Sequence, residues 1–501
     1  MESQDWGVDG NEGQPMEGIS ANPPPAGSIS PSKPDIIIDE PPKFDLEAYI
    51  SNYSGRTRFI RLYFIGRCST HLSTEALKMA VAEAKSGTDT RFYDKAVQAL
   101  QRASPSETEA VLDREWIVQT TNKAKAETER LERELKGYKN NLIKESIRMG
   151  NEDLGTHYRR IGDLPAASKA FARMRDFCTT SSHISSMLFQ NIAISIERDD
   201  WIGVQANCYR LRNLPFKPED ELKCKAKAHV ALGLTTLANG DYRDAATHFI
   251  SIEPGLGETF NDTISPNDVA VYGGLCALAT MTRSELANLV LDNKQFRNFL
   301  ELEPHIRRAI SFFCASKFRT CLDILDAYTP DYMLDLYLQA HFQKLYTRIR
   351  TKAIQQYLLP FSRVTLDSMV KIFSPGQQIT TAQGLVDMKS PFIVELIGLI
   401  RDGALQARID VEKAVLVSVK VDSRVKLHAT ALENMRDYLS DAHEQMLRLN
   451  VLYAGLWVPS RGRNGGSAEA LVAAHAADVD VERFSGTQGT GKGLASRLGL
   501  I

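Results

Sequence analysis

The sequence predicts an all-α superhelical array of helical repeats, followed by a winged-helix module and a long C-terminal helix. Three observations predict it. A Leu-Gly, Gly-Asp, Ala, Phe pattern returns after 78 residues. A helix, helix, two-stranded ribbon pattern fills residues 360–420. A seven-residue apolar repeat runs from Val425 to Tyr453. The chain has 501 residues. That exceeds the roughly 250–300 at which a single core stops growing, so several domains or an extended array are expected.

The first segment, residues 1–43, is expected to be a disordered tail. Its first 42 residues hold 8 of the 20 prolines and a single aromatic, Trp6. Such a segment buries too little apolar surface to offset chain entropy. Ile36–Ile38 reads as an incidental apolar patch rather than a docking strand. Helix is expected from about Asp45, with Leu46, Tyr49, Ile50 and Tyr53 on one face. Phe59, Leu62, Tyr63 and Ile65 continue in a second helix, and Leu77, Val81 and Ala84 in a third. Asp113 to about Lys136 reads as a long charged helix with a solvated face.

The repeat lies in residues 44–260. Leu154-Gly155, Gly162-Asp163, Ala167 and Phe171 recur as Leu232-Gly233, Gly240-Asp241, Ala245 and Phe249. Gly155 and Gly233 let a second helix approach the first. The Gly-Asp steps make the turn between paired helices. Ala167 and Ala245 fit under the crossing, and Phe171 and Phe249 are expected to fill the gap to the next pair. Asp200-Trp201 occupies the equivalent turn midway, giving steps of 37 and 41 residues. The spacing is similar to a tetratricopeptide repeat, loosened beyond its 34-residue period. Thr179 stands where that repeat has its closing proline. Each pair buries its apolar face only against neighbours, so a stack is expected.

Residues 261–359 continue the helices. Pro266 opens one, and Thr282 with Glu285 reads as a capping box. Further helices are expected at Pro304–Cys314, Phe318–Ala327 and Met333–Leu358. In residues 360–420 the helices are Val364–Phe373 and Pro391–Asp402, separated by the Ser374–Ser390 insert. The strands are Ala404–Ile409 and Val415–Val419, with Asp410–Lys413 as the hairpin tip. In residues 421–456, Val425, Leu432, Leu439, Met446 and Tyr453 are seven apart. Met435, Ala442 and Leu449 interleave, which makes an apolar seam suited to a bundle with similar helices. Residues 457–501 are expected to be a flexible tail. Within it Gly486–Gly493 is similar to a phosphate-binding loop, but Gly493 replaces the hydroxyl that binds magnesium.

Chemistry is sparse. The formal net charge is −2, so no basic excess draws the chain to nucleic acid or anionic lipid. The seven cysteines are dispersed without a CxxC, which fits reduced thiols in the cytoplasm or nucleus. No signal-peptide pattern and no membrane-length apolar run is present. No HExxH and no GxSxG occurs. No catalytic residue, metal or cofactor is therefore expected. The second helix of the winged module sets Arg401 against Glu395 and Asp402, and the wing sets Lys413 against Asp410 and Glu412. Phosphate binding needs several unopposed cations, so protein contact is favoured over nucleic acid. The Val415–Val419 edge is expected to pair with an edge on another subunit.

A superhelical array capped by a winged helix resembles the PCI-domain family, shared by the proteasome lid, the COP-nine signalosome and a translation initiation factor complex. Tyr53-Ser-Gly-Arg-Thr-Arg-Phe-Ile-Arg-Leu62, Ile143-Lys-Glu-Ser-Ile-Arg148, Asp153-Leu-Gly-Thr-His-Tyr158, the stretch from Ser265 to Thr280 and Phe299-Leu-Glu-Leu-Glu-Pro304 resemble its signalosome branch. The likeness covers about Phe44 to Tyr453. It implies a non-catalytic scaffold in the complex that removes Nedd8 from cullins, in cytoplasm and nucleus, with no nucleic-acid or membrane partner. It implies sister subunits, and cullin-RING ligases, as partners. Winged-helix contacts would fall on Leu405, Ile409, Val415, Val417 and Val419. Bundle contacts would fall on Leu432, Leu439, Met446 and Leu449. The alternatives are a proteasome-lid subunit of the same architecture and a nucleic-acid-binding adaptor.

Overall fold

The computed structural model describes residues 36–216, 218–253, 260–375, 390–419 and 423–456. The phosphate-loop-like stretch, the C-terminal tail and most of the N-terminal tail and of the 374–390 insert lie outside these residues.

Ile38 is not incidental. Its N–H donates to the Cys68 carbonyl at 2.7 Å, its carbonyl accepts from Thr70, and it forms a parallel bridge with Ser69. Ile38 is buried against the first helices. Order therefore begins before residue 44.

The N-terminal helices are α1 (Leu46–Ser51), α2 (Gly55–Cys68), α3 (Ser73–Ser86) and α4 (Thr90–Ala103). The Asp45 carboxylate caps α1 by accepting from Ala48 N. Helix α5 (Arg114–Asn140) is the expected charged helix, and it buries only Thr120, Leu131 and Leu135.

The repeat follows as α6 (Lys144–Ile161) with α7 (Leu164–Met174), α8 (Ser181–Glu197) with α9 (Trp201–Arg212), and α10 (Pro218–Asn239) with α11 (Tyr242–Ile250). Gly162 and Gly240 end the first helix of their pairs at φ 90° and 86°, and the next residue, Asp163 or Asp241, starts the second. Asp199 takes the same left-handed position at φ 56°, and Asp200 caps α9. A Cβ on Gly155 would lie 2.8 Å from the Phe171 ring, and one on Gly233 would lie 2.8 Å from Phe249. The glycines thus receive the aromatic ring of their own pair. The same rings also reach the next helices as expected: Phe249 meets Tyr272 edge-on at 5.9 Å between ring centroids, and Phe171 shares a core with Met187 and Leu188.

Next come α12 (Pro266–Thr280), α13 (Arg283–Glu285) running into a π-helical turn at Leu286–Leu291, α14 (Lys294–Leu302), α15 (Pro304–Cys314) and α16 (Phe318–Ala327). The Thr282–Glu285 capping box is present. The helix expected over Met333–Leu358 starts later, as α18 (Gln339–Leu358), and Met333 instead ends a separate short helix, α17 (Thr329–Met333). Asp335 separates the two, because its carboxylate accepts from the N–H groups of Tyr337 and Leu338 at 3.0 and 2.9 Å.

The array is not a stack in which helices meet only their neighbours. Leu334 belongs to the core of α1–α4. Arg61 on α2, 1% exposed, reaches Asp268 at 2.9 Å and Asp335 at 2.7 Å. The Tyr53 hydroxyl donates to Asp268, and the Tyr272 hydroxyl to Asp335 at 2.6 Å. Burial pushes the Asp268 carboxyl up, to about 6, against the pull of Arg61. The N-terminal helices are thereby fixed to α12 and to the break before α18. A second cation, Arg56, joins Asp89 and Glu197, both at 2.8 Å.

The winged module is β1 (Arg363–Thr365), α19 (Leu366–Phe373), α20 (Pro391–Arg401), β2 (Ala407–Asp410) and β3 (Val415–Ser418). The core is continuous from α8 through α18 into this module. The compact units divide between Ser418 and Val419. The second unit contains α21 (Ser423–Tyr453), 31 residues and about 46 Å long at ~1.5 Å per residue.

Candidate interaction surfaces

The module contains three strands, not two. Val364 belongs to β1 rather than to the start of α19. The order is β1-β3-β2, with both pairs antiparallel. Leu416 faces Val364 on one side and Ile409 on the other. Three-residue β1 carries no alternation long enough to read locally, and only its pairing with β3 defines it.

This order corrects the expected edge. Strand β3 is central, so its backbone is occupied on both sides by β1 and β2. Strand β3 itself cannot pair with another subunit without displacing β1 or β2. The outer edges of the sheet belong to β1 and β2.

The five ribbon residues do not form one surface. Leu405 is buried, 6% exposed, in the core of the module. Its N–H donates to Leu399 O, so it closes the turn after α20. Ile409 is half-buried on the inward face with Ala407 and Leu416. Val415 and Val417 are half-buried on the opposite face. There Val417 lies between Arg363 and Arg408, and Val415 between Thr365 and Asp410. Val419 follows the end of β3 and is 38% exposed.

Helix α20 buries Phe392, Ile393 and Leu396 and exposes Val394 and Ile397. Its acid, Glu395, is taken up by Arg350 of α18 in two bonds of 2.7 and 3.0 Å. Burial opposes the Arg350 charge, but the Glu395 carboxylate outweighs that and holds it protonated. The exposed face of α20 is thus apolar with Arg401 at its end. Helix-groove reading of phosphate depends on several cations, which this face lacks.

On α21 the seam residues are exposed: Leu432 56%, Leu439 62%, Met446 62% and Leu449 52%. Met435, Tyr438 and Leu447 are exposed as well. These last two lie off the heptad and were not singled out by it. Such a row of exposed apolar side chains along one helix has the chemistry to pack against another helix.

Three buried thiols are held in their protonated form. Burial pushes the thiols of Cys208, Cys276 and Cys321 up to about 12, away from the reactive thiolate. Among the described residues no group of three His, Cys, Asp or Glu side chains could hold a metal ion. Among them, too, no helix is long and apolar enough to cross a membrane.

Comparison with known proteins agrees with this architecture. The family model for the 26S proteasome subunit RPN7 matches residues 113–289, and that for the PCI domain matches residues 325–420. COP9 signalosome complex subunit 1 of Emericella nidulans is 57% identical over 442 residues, 88% of this chain and 89% of that protein. The Neurospora crassa protein of the same name is 42% identical over 414 residues, 82% of this chain and 91% of that protein. By contrast, 26S proteasome non-ATPase regulatory subunit 6 of Oryza sativa is 19% identical over 344 residues, 68% of this chain and 83% of that protein.

Proposed function

The chain belongs to the COP9 signalosome complex subunit 1 family, and from that membership we propose that it is a non-catalytic scaffold subunit of the signalosome, the complex that removes Nedd8 from cullins. The proteasome-lid alternative is disfavoured by the distance of that relative, 19% identity against 57%.

The observation that carries the scaffold role is the exposure of the α21 seam. Burying an apolar side chain of this size yields about 1.5–3 kcal/mol, so four in one bundle supply a substantial association energy. Leu432, Leu439, Met446 and Leu449 are the proposed bundle contacts. For the winged module, the proposed contact moves to the open edge of β2, Ala407–Asp410. Val415 and Val417 are proposed as side-chain contacts on the outer face, Val419 at its end, and Ile409 and Leu405 as supports beneath it. The array carries the winged module, and cullin-RING ligases are the proposed clients in cytoplasm and nucleus. Catalysis falls to another subunit.

Affinity purification of the full chain from cells, read by mass spectrometry, tests this. Signalosome subunits, cullins and deneddylating activity are the expected companions. Recovery of proteasome particles in their place would favour the paralogous assembly.

A further inference from the structure

The chain has five Ser-Pro steps, at Ser30, Ser104, Ser265, Ser374 and Ser390. Ser30 lies outside the described residues. Ser265 and Ser390 are buried N-terminal caps of α12 and α20, at 0% and 4% exposure. Ser104 ends α4 and shares a bond with the Thr74 hydroxyl. Ser374, like Ser104, ends a helix, is half-buried and precedes an exposed proline, but it differs in having a cation at its hydroxyl. Its hydroxyl accepts from Arg350 Nη2 at 3.0 Å. The same guanidinium holds Glu395 and donates to Phe373 O at 2.8 Å.

We infer that Ser374 is a phosphorylation site for a proline-directed protein kinase, and that its phosphate takes Arg350 from Glu395. In the transfer, the γ-phosphoryl group of a nucleoside triphosphate leaves its bridging oxygen and bonds to Ser374 Oγ. The hydroxyl proton passes to the kinase's base, and a nucleoside diphosphate departs. Pro375 supplies the residue such kinases read.

The site has room and a cation. A cleft of about 300 Å³ lies between α18 and α20, lined in part by Gln343, Tyr346, Thr347, Arg350 and Ser374. A phosphoserine carries about −1.5 to −2 charges at pH 7 and pairs with a guanidinium through two oxygens. It sits at the C-terminal end of α19, where the helix dipole repels an anion. Arg350 is therefore its stabilising partner. Glu395 is repelled from the new dianion, so α20 loses its charged tie to α18 while its apolar face stays seated. Phosphorylation loosens the helix beside the sheet edge.

The test uses the full-length protein, Mg-ATP and a proline-directed kinase, with phosphate mapped by peptide mass spectrometry. Phosphate is expected on Ser374 and not on Ser265 or Ser390. Hydrogen exchange in residues 391–401 should then rise about tenfold, with α12 unchanged. Glu395→Gln should give the same rise without phosphate and no further rise with it. Ser374 left unmodified while Ser30 is phosphorylated would overturn the inference. So would unchanged exchange in α20, or exchange rising equally in α12.

Discussion

The Arg61 guanidinium stands 2.7 Å from the Asp335 carboxylate across 274 residues of chain. Both side chains are buried, and Asp268 completes the cluster. Removing one partner of a buried pair leaves an uncompensated charge and costs about 3–5 kcal/mol. Arg61→Met should therefore destabilise the array by that amount in chemical denaturation. Adding Asp268→Asn and Asp335→Asn should recover part of the loss, because fewer unpaired charges remain.

Gly233 is a site of close approach rather than of backbone freedom. A methyl group there meets the Phe249 ring at 2.8 Å, inside contact distance. Gly233→Ala should lower stability by about 1–3 kcal/mol through overpacking. Gly233→Ala with Phe249→Leu should lose less than the sum of the two single changes, measured as melting temperature.

Local signals made most of the array legible. The left-handed Gly162 and Gly240 and the caps Asp163, Asp200 and Asp241 are punctuation that acts within a few residues. The Ser265–Thr280 and Tyr53–Leu62 stretches carry Tyr53, Arg61, Asp268 and Tyr272, yet their meeting across 207 residues follows from no periodicity. The same holds for Asp335, which breaks a helix that its flanking residues would continue. Strand β1 was missed because three residues acquire strand geometry only beside β3, and that omission placed the free edge on the wrong strand. The α21 seam was legible because a heptad needs no other part of the chain to define it.

His229 and His248 bring their Nδ1 atoms within 3.3 Å between α10 and α11. Burial lowers both from 6.5; at His229 the neighbouring His248, then Arg212 and Lys225, add to this, while at His248 Asp244 opposes it and Arg212 adds to it. Folded values below the unfolded value mean that the unfolded chain takes up protons first. Their contribution is present above pH 6.5 and lost as pH falls through the folded values. The variant with His229→Gln and His248→Gln should lose less stability than the wild type between pH 7.5 and 5.5. Equal losses in urea titrations would count against this assignment.

The role as a connector rests on the C-terminal rod. Leu439→Asp with Met446→Asp places two charges on its seam and leaves the described core untouched. Native mass spectrometry of the affinity-purified assembly, with circular dichroism of the isolated chain, measures both sides of the claim. The expected result is loss of sister subunits by at least about tenfold, which corresponds to about 1.4 kcal/mol, with the melting temperature unchanged. Recovery of those subunits at the wild-type level would contradict it.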